Sequence, residues 1–192
     1  PIATGAAYSS VLRGTDQVTL AFFGDSASNE GTFHESVNMA AAWNLPVVYI
    51  IENNLFGISV DIRRVTKEHD LYKRAPGYGI PGECVDGNDA FAVYEAVKKA
   101  VERARKGQGP SLIECKTYRW QGHHVGDPGE YRAPEELSAW KAKEPLVVMK
   151  TKGLLTDEEI SEIETAVNKE IAEACKFAEE SPYPEETEAY AD

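Results

Sequence analysis

Short apolar runs alternate with helical patterns along most of the chain. Gln17–Phe23 (QVTLAFF) is the first strand-like run and ends at Gly24-Asp25. An alanine-rich helix is predicted over Glu30–Trp43, then a second strand over Leu45–Ile51 that ends at Glu52-Asn53-Asn54. A polar loop with room for a short helix covers Leu55–Ala75. Gly82–Val85 is a short third run closed by Asp86-Gly87, and Ser111–Tyr118 (SLIECKTY) is a fourth. Between these two, Phe91, Tyr94 (or Val93), Val97 and Val101 recur at helical spacing. They predict a helix over Asp89–Lys106, stopped by Gly107, Gly109 and Pro110. The alternation predicts an α/β fold, a parallel sheet with helices on both faces. Ligands of such sheets bind beyond the carboxyl ends of the strands. Chemistry is therefore sought in Gly24-Asp25-Ser26, Asn53–Gly57, Asp86-Gly87 and Arg119–Arg132.

After Arg132 the pattern turns helical. Pro134–Lys143 and Pro145–Lys152 read as short helices, and Thr156-Asp157-Glu158-Glu159 as a capping box. Behind the box, Ile160, Ile163, Val167, Ile171 and Ala174 form one helical stripe to about Phe177, and Ser181-Pro182 ends it. The expected organisation is an α/β domain over residues 1–133, a helical extension over 134–180, and a loose acidic tail over 181–192.

Composition narrows the function. The 192 residues suffice for a sizeable buried core. The longest apolar run, Leu45–Ile51, suits a buried strand, and no stretch approaches a membrane span. The net charge of −12 is concentrated at the end: Thr156–Asp192 holds thirteen acidic residues against two lysines. That run reads as a solvated helix face. No basic stripe exists, so nucleic acid is not an expected partner. Cys84, Cys115 and Cys175 lack metal-type spacing, two of them lie in apolar settings, and the odd count fits a reducing cytoplasm. Pro1–Ala7 has neither an initiator Met nor a basic segment and reads as the middle of something longer, not as a signal peptide.

Two post-strand segments carry the chemistry. Asp25 follows the first strand directly, and Asn54 follows the second, 29 residues later. If the two strands are neighbours, a carboxylate and an amide oxygen meet at one sheet edge. Mg²⁺ takes six oxygens, usually only one or two from carboxylates, with phosphates and water completing the set. Gly24 allows a sharp turn, and the small Ser26, Ala27 and Ser28 let a bulky anion approach the backbone. The helix from about Glu30 directs its N-terminus the same way. Together these features point to a diphosphate held through Mg²⁺. Separately, Gly-Asp and Asn-Asn are ordinary turn elements. Two other readings stay open: a non-catalytic α/β module in which Asp25 and Asn54 are structural, and a dinucleotide-binding domain. The second is disfavoured because no Gly-x-Gly-x-x-Gly follows the first strand.

Gly24-Asp25-Ser26, followed by a helix, a strand and Asn53-Asn54, resembles the thiamine-diphosphate motif that begins Gly-Asp-Gly and closes with Asn-Asn. The stretch GDSASNEGTFHESVNMAAAWNLPVVYIIENNLFGIS, with TYRWQGHHVGDPGEYR and KFAEESPYP, is similar to alpha subunits of the dehydrogenases for pyruvate, branched-chain 2-oxo acids and acetoin. The resemblance implies that Asp25 and Asn54 ligate Mg²⁺ through side chains and Phe56 through its carbonyl. It implies that Ser26 and Ala27 lie against the diphosphate and that Gly57 permits close backbone approach. It makes His123 the active-site histidine and places Asp127, Tyr131 and Arg132 in a loop that orders over bound cofactor. The implied activity is oxidative cleavage of a small-molecule substrate, pyruvate or another 2-oxo acid or acetoin. The acyl group passes to a lipoyl-bearing acyltransferase, and a beta subunit supplies the glutamate that activates the cofactor ring. Glu52 and Glu114 are therefore not assigned that task, and this chain alone should be inactive. The loop and tail favour the pyruvate and acetoin types. Ser26 departs from the usual third glycine, and family members extend well beyond Pro1. Loop spacing selects His123 and keeps His124 as a candidate, while His34 and His69 read as structural or surface. Arg119 either pairs with phosphate or anchors the loop.

Overall fold

A computed structural model describes residues 1–191. It divides into one unit over Pro1–Met149 and a second from Lys150 onward.

The first unit is built on β1 (Thr19–Gly24), β2 (Val47–Asn53), β5 (Gly82–Asp86) and β6 (Ser111–Lys116), all parallel, in the order β1-β2-β6-β5. A hairpin of β3 (Phe56–Gly57) and β4 (Val60–Asp61) leaves the end of β2. β2 is central and apolar on both faces: every residue but Glu52 is buried, which explains its unbroken apolar run. The edge strand β1 instead alternates, with Leu20 and Phe22 outward.

Helices cover both faces, as the alternation predicted. On one face α1 (Ile2–Arg13), α2 (Gly31–Ala42) and a 3-10 segment (Leu71–Tyr78) pack on the sheet. Their Ala7, Phe33, Val37, Ala40 and Leu71 meet Val47, Tyr49, Ile51 and Leu112. On the other face α4 (Ala90–Arg105) sets Ala96 and Ala100 against Val48, Ile50 and Ile113. Full burial of side chains such as Ile51 and Leu112, both 0% exposed, stabilises the sheet by about 1.5–3 kcal/mol each. Gly82 lets the 3-10 segment lie close, since a Cβ there would sit 2.4 Å from the Tyr72 carbonyl oxygen. A short α3 (Ile62–Val65) follows the hairpin, and α5 (Pro134–Lys141) and α6 (Pro145–Thr151) come after β6 in the chain.

Helix α1 has no counterpart in the apolar pattern. Its buried positions are Thr4, Ala7 and Ser10, small or hydroxylated residues that give no apolar stripe. Thr4 Oγ1 instead bonds the Tyr49 hydroxyl at 2.7 Å. The cysteine reading needs correction: only Cys115 is buried, while Cys84 and Cys175 are exposed. Cys84 sits on the edge strand β5.

The second unit is dominated by α7 (Asp157–Glu180). The capping box is present: Thr156 Oγ1 accepts from the Glu159 N–H, and Glu159 accepts from the Thr156 N–H. The helix runs three residues past Phe177 to Glu180 before Ser181-Pro182 stops it. None of its residues is buried. A 3-10 turn covers Glu186–Tyr190 in the acidic tail. Among the described residues no helix is long and apolar enough to cross a membrane.

Candidate cofactor and metal site

β1 and β2 are hydrogen-bonded neighbours in parallel register, with Gly24 opposite Glu52. The chain therefore leaves both strands at the same sheet edge, which sets Asp25 beside the Asn53–Gly57 turn. Asp25 is 1% exposed, an unusual place for a carboxylate. Burial pushes its pKa up. Backbone N–H donors of Asp25 and Asn54, the Ser26 hydroxyl and the charge of Arg119 pull it down, but less strongly. Ser26 Oγ lies 3.4 Å from Asp25 Oδ2, at the long end of hydrogen-bond contact. A 3-10 turn, Ser26–Asn29, follows Asp25 and stands between it and α2.

The opposing turn is held in a costly shape. Leu55 and Ile58 both adopt left-handed backbone, with φ of 72° and 54°. Such residues outside glycine cost about 1–3 kcal/mol each and persist where surroundings enforce them. The enforcing bonds are identifiable. Asn53 Oδ1 accepts from the Leu55 N–H at 3.1 Å, and Asn54 Oδ1 accepts from the Phe56 N–H at 3.1 Å. The Leu55 carbonyl accepts from the Ile62 N–H at 2.9 Å. Gly57 is where the two turns touch: a Cβ there would lie 2.0 Å from Ser26 Oγ and 2.7 Å from Ser26 Cβ.

Arg119 joins this turn to the loop that carries His123. Its guanidinium donates to the Phe56 carbonyl at 3.3 Å, to the Ile58 carbonyl, and to the Tyr131 hydroxyl at 2.8 Å. Asp127 organises the rest of the loop. It accepts from the His123 N–H at 2.7 Å, the Gly129 N–H at 2.9 Å and the Tyr131 hydroxyl at 2.8 Å. Those bonds hold its carboxyl down to about 2. Arg132 donates to the Arg119 and Gln121 carbonyls and lies over the Tyr131 ring. His123 is exposed, with Nδ1 3.5 Å from Arg119 Nη1. His124 Nδ1 instead accepts from the Gly126 N–H at 3.1 Å, which ties that ring to its own loop. His34 is exposed on α2 and pairs with the Tyr78 hydroxyl, and His69 is exposed on the long loop.

These donors suit a hard cation and its anion. The strand ends supply a carboxylate, an amide oxygen and a backbone carbonyl, all oxygens, as Mg²⁺ prefers. Three sites fall short of its six, so oxygens from elsewhere must complete the sphere. Arg119 Nε is buried with no hydrogen-bond partner among the described residues, a donor left over beside the same turn. A cavity of about 400 Å³ opens beside Asn54 and Arg119 on the α4 side of the sheet, with Phe22, Ile50, Glu52, Val93 and Cys115 in its lining but not Asp25.

A family described as "Dehydrogenase E1 component" matches residues 1–187. The chain belongs to the dehydrogenase E1 component family. Similar proteins carry consistent names. An alpha-3 subunit of a chloroplastic pyruvate dehydrogenase E1 component from Oryza sativa subsp. japonica is 43% identical over 96% of this chain and 46% of its own length. The pyruvate dehydrogenase E1 component subunit alpha of Rickettsia felis is 41% identical over 100% of this chain and 60% of its own. The alpha subunit of an acetoin:2,6-dichlorophenolindophenol oxidoreductase from Bacillus subtilis is 42% identical, covering 100% and 58% respectively. This E1 component chain thus spans about half the length of the relatives it matches.

Sequence reasoning found the strand-end residues of this E1 component chain but missed what holds them. Arg74, Asn53 and Glu114 support the two turns and were not singled out for that role. Arg74 donates to the Ser28 carbonyl and to Asn29 Oδ1, a contact 46 residues distant in sequence for Ser28. The available signal was Glu114 itself, a charged residue inside an apolar strand run.

Proposed function

We propose that the chain is part of the alpha subunit of a thiamine-diphosphate- and Mg²⁺-dependent dehydrogenase component. It would cleave pyruvate, a 2-oxo acid, or acetoin oxidatively. The observation that carries this reading is the buried Asp25 beside the strained Asn54–Gly57 turn, in a chain of the E1 component family. Asp25 and Asn54 would hold Mg²⁺ through side-chain oxygens and Phe56 through its carbonyl. Ser26 and Ala27 would face the diphosphate, and Gly57 would keep the two turns close. Thiamine diphosphate, when bound, supplies the carbon–carbon cleavage chemistry.

The residues of this chain do the positioning. A guanidinium has only donors, so Arg119 meets Nδ1 of His123 as acceptor and leaves the ring proton on Nε2. Nε2 is then the atom that exchanges a proton with the reacting group. The Asp127 bonds to His123 N–H and Tyr131 hold the loop that presents this ring. A beta subunit completes the enzyme, and a lipoyl-bearing acyltransferase accepts the acyl group. The setting is cytoplasmic. Both substrate classes occur among the names of the relatives, pyruvate in the rice and Rickettsia felis proteins and acetoin in the Bacillus subtilis one.

Calorimetry with Mg²⁺ and thiamine diphosphate on the complete alpha subunit, with its beta subunit, tests the proposal. Binding should be lost in Asp25→Ala and Asn54→Ala. His123→Ala should bind cofactor yet fail to acylate a lipoyl domain, whereas His124→Ala should acylate it. Binding of NAD without metal would favour the dinucleotide-binding alternative, and wild-type transfer by His123→Ala would defeat its assignment.

A further inference from the structure

Glu114 stands in β6, opposite Ile51 of β2 and Cys84 of β5, and is 0% exposed. The cofactor reading gives it no task. A buried carboxylate is costly unless its oxygens are satisfied, and both of these are. Oε1 accepts from the Asn53 side-chain amide at 2.7 Å, and Oε2 accepts from the Tyr72 N–H at 3.0 Å.

Each bond leads to a different half of the candidate site. The Asn53 amide is oriented by Glu114 so that its Oδ1 faces the Leu55 N–H. Leu55 is the left-handed residue that turns the chain through Asn54, Phe56 and Gly57. On the other side, the Tyr72 bond fixes the 3-10 segment that carries Arg74. Arg74 grips the Ser28 carbonyl, Ser28 Oγ at 3.1 Å and Asn29 Oδ1 at 2.6 Å. Ser28 Oγ donates to the Asp25 carbonyl at 2.6 Å. One carboxylate inside the sheet therefore ties together the turn after β1 and the turn after β2.

We propose that Glu114 is a positioning residue for the metal–diphosphate site: through Asn53 and Tyr72 it sets the spacing between the Asp25 turn and the Asn54 turn. The proposal rests on the reading of Asp25 and Asn54 as Mg²⁺ ligands. It is specific about polarity. Glu114 must accept at both oxygens, and Asn53 must donate at one end and accept at the other.

That polarity supplies the test. In Glu114→Gln the new amide points a donor at either Asn53 or the Tyr72 N–H, and flipping Asn53 only moves the conflict onto the Leu55 N–H. Combining Asn53→Asp with Glu114→Gln exchanges donor for acceptor while keeping the same charge. The introduced amide then donates to the introduced carboxylate and accepts from the Tyr72 N–H, and that carboxylate still accepts from the Leu55 N–H. The experiment measures Mg²⁺-dependent binding of thiamine diphosphate by calorimetry, in the complete alpha subunit purified with its beta subunit. Melting temperature without metal or cofactor is recorded alongside. Glu114→Gln should raise the Mg²⁺ concentration for half-saturation by about 10- to 100-fold, the range for groups that orient metal ligands. The double variant should return it close to wild type. Wild-type metal dependence in Glu114→Gln overturns the proposal. So does a double variant no better than the single one, whether it binds weakly or fails to fold. A wild-type protein that binds no Mg²⁺–thiamine diphosphate would instead overturn the reading beneath it.

Discussion

Replacing Gly57 by alanine strikes the one point where the two turns meet. The added Cβ would sit 2.0 Å from Ser26 Oγ and 2.7 Å from Ser26 Cβ. The hydroxyl can rotate away, but the Ser26 Cβ cannot, so backbone has to move. Overpacking of this kind costs about 1–3 kcal/mol. Alanine recovers about 0.4–1 kcal/mol by restricting the unfolded chain. The net loss is then about 0–2.6 kcal/mol, or up to roughly 10 °C in melting temperature at 2–4 °C per kcal/mol for a chain this long. Binding should suffer as well, because metal ligands tolerate only about 0.2 Å of displacement. Ser26→Gly removes both clashing atoms. Gly57→Ala should therefore be harmless in that background, giving a clear coupling between the two substitutions. Thermal denaturation and Mg²⁺-dependent cofactor binding across the four proteins measure it. Wild-type behaviour of Gly57→Ala, or simple additivity with Ser26→Gly, would refute the steric argument.

Other outcomes follow from the same geometry. The raised pKa of Asp25 means that the folded protein keeps a proton the unfolded chain releases. Stability without metal should rise as pH falls from that raised pKa toward 3.8, and Mg²⁺ affinity should fall over the same approach, as titration calorimetry at several pH values would reveal. Asp25→Asn should melt higher than wild type without metal at neutral pH, yet bind no Mg²⁺. Asp127 behaves oppositely: its depressed pKa gives stability that is present above 3.8 and lost as pH falls through about 2. Loop order should accordingly be flat across neutral pH, and Asp127→Asn should speed proteolytic cleavage between Arg119 and Arg132. Arg119→Lys removes the fork that spans Phe56, Ile58 and Tyr131, and should weaken Mg²⁺ binding while sparing the sheet, visible as lower affinity with little change in far-ultraviolet circular dichroism.

The parts legible in the sequence are those whose cause is local. Each parallel strand announced itself as an apolar run, and the ends of β1 and β2 could be read because Gly24-Asp25 and Asn53-Asn54 break those runs. The capping box of α7 needs only four consecutive residues. Helix α1 was illegible because Thr4, Ala7 and Ser10 pack by smallness and by a hydroxyl contact to Tyr49, which no hydrophobicity pattern encodes. Glu114 shows in the sequence as a charge inside an apolar run, but its task, like that of Arg74, does not, because their partners lie 42 to 61 residues away. Asn53 could be seen as half of a motif, yet its bond to Glu114 spans 61 residues.

The division of labour in the site follows from these distances. A strand end can deliver an oxygen to within a few ångströms of where it is needed, but a turn with left-handed Leu55 and Ile58 would relax if left alone. Two charged side chains prevent this from outside the turn, Arg119 on its carbonyls and Glu114 through Asn53, while Arg74 holds the facing turn at the Ser28 carbonyl. Each is more than 40 residues from the turn atom it restrains, so each exists only once the sheet has formed. Arg119 has a second consequence. It lies near enough to Asp25 to favour the ionised carboxyl while it occupies the Phe56 carbonyl. Arg119 thereby links the Asp25 carboxyl, the Phe56 turn and the His123 loop, so its replacement should loosen all three together.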